Sequence, residues 1–199
     1  MSVCDTVTHR ENPFSVHRVQ PGSLEYLFAD GPGIVGLTDT LAGNRWWGEI
    51  VGPHGSGKST LLATLMPRLR ERGFAVVHLQ FRIGEHRLAR DWASGAADSS
   101  RVIVVVDGVE QLGWLARRRI KRNCRRRGWG LVATAHTSLG LPALYRTEFD
   151  FPRFERVVRH LLADEDWTVD SGQLRQIHVR FADDMREMLF CLYDLYESH

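Results

Sequence analysis

The sequence is poor in cysteine. Cys4, Cys124 and Cys191 are the three in 199 residues; they lie far apart and match no metal-ligand spacing. That excludes a disulfide framework and suits a reducing compartment or isolated buried thiols. No apolar run approaches the roughly 18 residues of a membrane-spanning helix. The opening stretch, MSVCDTVTHRENPF, has no apolar core of the kind a secretory signal carries. The expectation is therefore a cytoplasmic chain without a membrane span. Internal repeats are lacking, and so is low complexity beyond one arginine run. Within that run, acids are lacking. Residues 117–127, RRRIKRNCRRR, hold eight of the 26 Lys and Arg and no Asp or Glu. The remainder has 18 basic against 24 acidic residues, a balance of −6 inside a chain whose net charge is +2. One strongly basic surface is expected on a mildly acidic molecule, facing solvent, nucleic acid or an acidic protein.

What is present is a phosphate loop. Residues 52–60, GPHGSGKST, fit G-x-x-x-x-G-K-[ST] and follow an apolar run, 46–51, able to be a strand. Strand, glycine-rich loop and helix in that order place backbone N–H groups and the positive end of a helix around one phosphate. Gly52, Gly55 and Gly57 permit tight turns and close backbone approach. Pro53, His54, Ser56 and Thr60 complete the loop. Lys58 is the expected β/γ-phosphate contact, and Ser59 the hydroxyl ligand of Mg²⁺.

The chain around the loop alternates. Leu61, Leu62, Leu65 and Leu69 predict a helix from Lys58 to about Arg72, ended by Gly73. FAVVHLQF (74–81) is a strand, 82–95 a weaker helix with Leu88 and Trp92 four apart, and RVIVVVD (101–107) a strand buried on both faces. Residues 110–127 then read as a helix, with Val109, Leu112, Ala116, Ile120 and Cys124 toward the sheet. Residues 131–135 are the next strand. This predicts a three-layer α/β fold with a mainly parallel sheet. Before it, residues 1–45 read as an arm with short helices at 23–27 and 37–41 around a turn, ADGPG. After Thr137 the periodicity lapses over 139–151. Helical stripes then return: Phe154, Val157, Val158, Leu161 and Leu162; a segment capped by Asp170, with Leu174 and Ile177; and 184–197. The expected division is 1–45, a core over 46–152, and a small helical lid over 153–199.

Asp107 ends its strand where a carboxylate reaches the Mg²⁺ sphere through water. Gly108 follows, so no acid is adjacent. Glu110 is the nearest acid, suited equally to orienting a water and to the first turn of the next helix. Thr134, His136 and Thr137 end the following strand beside Asp107. Arg186 begins the last helix and could reach back to the nucleotide, and Arg146 and Arg153 are candidates for a finger to a neighbouring subunit in a homo-oligomer.

In the order GPHGSGKST, VIVVVDGVEQL and LVATAHTS the chain resembles the additional-strand P-loop ATPases, nearest to AAA+ and STAND-type members, over roughly residues 46–196. The resemblance implies a Walker A loop at 52–60, a Walker B aspartate at Asp107 and a first sensor at Thr134 or His136. It also implies a second sensor at Arg186, in Asp183-Asp184-Met185-Arg186 without the usual glycine. Gly108 departs from the glutamate usual there in AAA+ proteins, which implies slow turnover. No transporter LSGGQ and no guanine signature is present, so ATP with Mg²⁺ is the implied ligand. Three readings follow: a slow ATPase or nucleotide-dependent switch acting on a protein or nucleic acid; a small-molecule kinase; and a nucleic-acid-associated ATP-binding module using 117–127.

Overall fold

In the computed structural model, strand β3 (Val102–Asp107) has all six residues buried, as its β-branched run requires. The structure describes residues 11–28, 33–96, 99–181 and 184–199. Cys4, residues 29–32 of the expected ADGPG turn, and Asp183 lie outside these. Alternate β3 side chains face opposite ways. Val102, Val104 and Val106 join Ile120, Cys124 and Trp129 on one side, and Ile103 and Val105 join Leu61, Leu62, Leu65 and Leu69 on the other. With β1 (Trp47–Val51), β2 (Ala75–Gln80), β4 (Gly130–Ala135) and β5 (Ala143–Arg146) it forms a five-stranded sheet ordered β2-β3-β4-β1-β5. Every pairing is parallel. β4 lies between β1 and β3, so the loops leaving these three strands emerge side by side on one edge.

Helices α2 (Gly33–Gly43) and α3 (Lys58–Glu71) cover one face, and α4 (Trp114–Arg127) the other. This is the expected three-layer α/β arrangement. After it come α5 (Phe151–Leu161), α6 (Ser171–Phe181) and α7 (Met185–Glu197). Asp150, Asp170 and Asp184 accept amide hydrogens from the first turns of these three helices. Their stripes, including Phe154, Val157, Leu174 and Met188, form a third cluster that also takes in Phe14 of the arm. The arm's own helix, α1 (Val16–Val19), is one turn long. Asn12 Nδ2 donates to Tyr193 O at 3.1 Å and to Glu197 Oε1 at 2.8 Å, fastening the arm to α7. Among the described residues no helix is long and apolar enough to cross a membrane.

Three expectations are corrected. Residues 82–95 are not a helix: Leu88 and Trp92 do pack on the sheet, but from an irregular segment with Gly84 at φ +90° and a 3₁₀ turn over Ser94–Ala96. The helix read over 110–127 is broken. A 3₁₀ turn spans Val109–Gln111, Leu112 is extended (ψ 137°), and α4 starts only after Gly113. Residues 23–27 form a turn and extended chain, with Pro21 bridged to Leu24. Residues 139–151, without periodicity, contain the edge strand β5, whose pairing with β1 shifts register between Glu49 and Ile50.

Candidate functional site

Gly52 closes β1, and its amide donates to Ala135 O on β4 at 3.2 Å. A Cβ there would run into the side-chain and carbonyl oxygens of Thr147, so the close approach admits glycine only. Thr147 is fully buried just past β5, and its Oγ1 lies 2.7 Å from Ser56 Oγ, which also donates to Pro53 O at 2.8 Å. The loop is thus stapled internally and to its neighbour. Gly55 (φ +71°) and Gly57 (φ +80°) supply its left-handed turns. Pro53 and His54 are exposed, and the His54 ring meets His136 edge-on at 5.9 Å.

Lys58 is buried at the start of α3, and its Nζ donates to Gly52 O at 2.9 Å and Pro53 O at 2.5 Å. Burial pushes its pKa down, opposed by the charges of Glu110 and Asp107. Both acids are therefore within electrostatic reach of this ammonium. Ser59 and Thr60 follow, half-buried, on the first turn of α3, whose leading amides have no partner within the helix.

Across β4, the Thr134 hydroxyl donates to Asp107 Oδ1 at 2.7 Å and accepts the Gly108 amide at 2.9 Å. Gly108 has φ +74°, and a Cβ there would strike the carbonyl oxygen of Phe81. That is the physical reason no carboxylate follows Asp107. The nearby acid comes instead from the 3₁₀ turn. Glu110 Oε1 is 3.3 Å from His136 Nε2, its Oε2 is buried without a partner among the described residues, and its carbonyl accepts from Arg117 Nη2 at 2.9 Å. Glu110 does not stand in the first turn of α4, so its placement is not a helix-dipole preference. Lys58, Asp107, Thr134, Glu110 and His136 share one edge of the sheet. Thr137 is exposed just beyond.

Arg186 is exposed on the first turn of α7, its amide donating to Asp184 Oδ1 at 3.0 Å. Arg146, at the end of β5, is exposed as well. Arg153 is different. Its Nη1 donates to Glu148 O at 2.8 Å, its guanidinium lies 4.2 Å from the centre of the Tyr26 ring, and its Nη2 would sit 2.8 Å from a Cβ on Gly57. A residue of α5 therefore abuts the loop from within the same chain. The amide of Tyr26 donates to Thr64 Oγ1 of α3 at 2.9 Å, which anchors the aromatic partner. Burial pushes the Tyr26 hydroxyl pKa up, with Arg153 opposing. Sequence reasoning missed Arg153 in this role and Thr147 altogether. The one available signal was Asp150 capping a helix with Phe151 and Pro152 in its first turn.

The geometry fits a nucleoside polyphosphate: a loop whose Gly52 admits no Cβ, a desolvated ammonium and the N-terminus of a 14-residue helix converge at one place. Ser59 and Asp107 are the residues that would hold Mg²⁺. Among the described residues no group of three or more His, Cys, Asp or Glu could hold a metal ion. Magnesium at such a site takes its remaining ligands from phosphate and water.

Neither a known protein family nor a curated protein matches the chain in sequence. Solved structures do match its fold. AMPPCP-bound DnaA from Aquifex aeolicus is similar at TM-score 0.55 and 13% identity, covering 83% of this chain and 62% of that one. A DNA replication initiation factor is similar at TM-score 0.52 and 15% identity, covering 81% of this chain and 60% of that one. The chain thus spans about six-tenths of the length of either, and at such identities the likeness is one of fold.

Proposed function

We propose that the chain binds ATP with Mg²⁺ and works as a slow ATPase or nucleotide-dependent switch. The observation that carries the reading is Lys58. It is buried at the start of α3 with its Nζ held on Gly52 O and Pro53 O, and the charges of Glu110 and Asp107, from the neighbouring turn and strand end, act on it. Lys58 and the loop amides take the β- and γ-phosphates, and Ser59 and Asp107 take the metal. Glu110, held against His136, orients the water in place of the acid that Gly108 excludes. Strand β4 between β1 and β3 supports the additional-strand reading, and the fold shared with a DnaA solved with AMPPCP supports ATP as the ligand. Arg153 contacts the phosphate side in cis and ties the C-terminal helices to nucleotide state, a role for which Arg186 is the second candidate.

Calorimetry with Mg²⁺ and ATP tests this. The wild-type chain binds, and Lys58→Ala abolishes the heat; equal affinity in the two would sink the reading.

A second role rests on α4. Arg118, Arg119, Arg122, Arg125, Arg126 and Arg127 are all exposed on it, with no acid along the helix. Such a ridge suits a nucleic-acid backbone, whose binding weakens steeply with salt. Replacing Arg125, Arg126 and Arg127 with Gln is expected to abolish a low-salt gel shift, and an unchanged shift would remove this role.

A further inference from the structure

On the face of the sheet opposite α3, a cavity of about 250 Å³ lies between α4, strands β3 and β4, and residues 138–141. Its body is apolar, including Val106, Ile120, Leu131 and Ala133, and its polar lining is Arg117, Lys121 and Ser138. The wall formed by 138–141 is fixed. Buried Glu49 accepts from Ser138 Oγ at 2.5 Å, from the Leu139 amide at 2.8 Å and from the Leu141 amide at 3.1 Å.

The two cations end on backbone carbonyls. Lys121 Nζ donates to Leu139 O at 2.6 Å, and Arg117 donates to Leu112 O at 2.7 Å and Glu110 O at 2.9 Å. Among the described residues neither cation has a direct ion pair, and the two side chains repel each other. Burial pushes Lys121 down, only partly opposed by the charge of Glu49, whose oxygens are already shared among three donors. Sequence adds a second observation. The chain has 26 Lys and Arg, yet only two are lysines: Lys58 in the phosphate loop and Lys121 here, interrupting an arginine run. An ammonium is a compact, mobile point charge where a guanidinium is broad and planar.

We propose that this cavity binds a small aryl or alkyl monocarboxylate, its apolar body on Leu131 and Ala133 and its carboxylate between Lys121 and Arg117. Size sets the class: a dry cavity of about 150 Å³ accommodates benzene, so this one takes a body of roughly ten heavy atoms. Charge sets the head group, because an anion there replaces a neutral carbonyl acceptor with an ionised one for each cation. Arg117 also holds the carbonyl of Glu110, so an occupant drawing Arg117 away loosens the turn that carries the site's acid. That consequence, unlike the binding itself, rests on the nucleotide reading.

The test is titration of 2-naphthoate into the full chain, followed by calorimetry. Saturable one-to-one binding is expected, weakened about tenfold or more by Lys121→Met, which removes a charge-assisted hydrogen bond. Ala133→Leu, which fills the cavity, is expected to abolish it; if that variant does not fold, Lys121→Met decides alone. Lys58→Ala is expected to bind 2-naphthoate normally while losing ATP, so failure of one reading is distinguishable from failure of the other. Absence of saturable binding in the wild type, unchanged binding in Lys121→Met, or equal binding of neutral 2-methylnaphthalene would each overturn the proposal.

Discussion

Thr134 and Asp107 share one buried hydrogen bond of 2.7 Å, and the same hydroxyl accepts the Gly108 amide at 2.9 Å. One side chain on β4 thereby satisfies a carboxylate oxygen and a backbone donor at the end of β3. Thr134→Val keeps the shape and strands both groups. It is expected to destabilise the fold by about 1–3 kcal/mol in urea denaturation. Thr134→Ser should recover most of that, and equal stability of the Val and Ser variants would contradict the shared bond.

Gly108→Glu places an acid directly after Asp107, and here it should fail. The left-handed backbone and the Phe81 carbonyl both oppose a Cβ. Strain at such a position costs on the order of 1–3 kcal/mol. The expected outcome is a lower melting temperature and no gain in phosphate release; faster release at unchanged stability would refute the steric account.

Glu110→Gln removes the carboxylate paired with His136 while Lys58 and Asp107 stay in place. ATP affinity should hold within a few-fold, and single-turnover hydrolysis should fall by about 10²-fold, the lower range for a positioned acid–base group. Arg153→Ala, by contrast, should weaken ATP binding about tenfold, as loss of a charge-assisted contact does. If both variants lose affinity alike, the two residues do not divide the work in this way.

Burial pushes the Cys124 thiol from its ordinary 9.0 up to about 12, with Arg127 opposing. Between those values the folded chain keeps a proton that the unfolded chain has lost. The contribution to stability is full below about 9 and declines as pH rises toward about 12. In a Cys4→Ser, Cys191→Ser background, Cys124 should resist iodoacetamide at pH 8 and react once urea unfolds the chain. Rapid alkylation of the native protein would show the thiol to be accessible.

Legibility in the sequence followed cooperativity of signal. The loop, α3, β3 and β4 announce themselves because fixed-spacing glycines, a leucine stripe and unbroken β-branched runs each point to one structure. Residues 82–95 misled because Leu88 and Trp92 pack as a helix pair would, yet the sheet buries them without a helix. The break before α4 was hidden because Val109 and Leu112 serve the core from either backbone. β5 is four residues long at the sheet edge, and its strand identity comes from pairing with β1, which local sequence does not encode. Glu110 was recognised as a candidate, but its pairing with His136 depends on a 3₁₀ turn that periodicity does not reveal.

The fastening of Asn12 to Tyr193 and Glu197, across 181 and 185 residues, bears on the order of events during synthesis. The sheet can close once β5 has left the ribosome, whereas Phe14 has no complete socket until α7 has followed. Phe14 must therefore wait unsheltered until the last helix emerges. Nascent chains arrested between residues 150 and 185 should accordingly recruit chaperones at the arm, and release of that protection should coincide with the last helix.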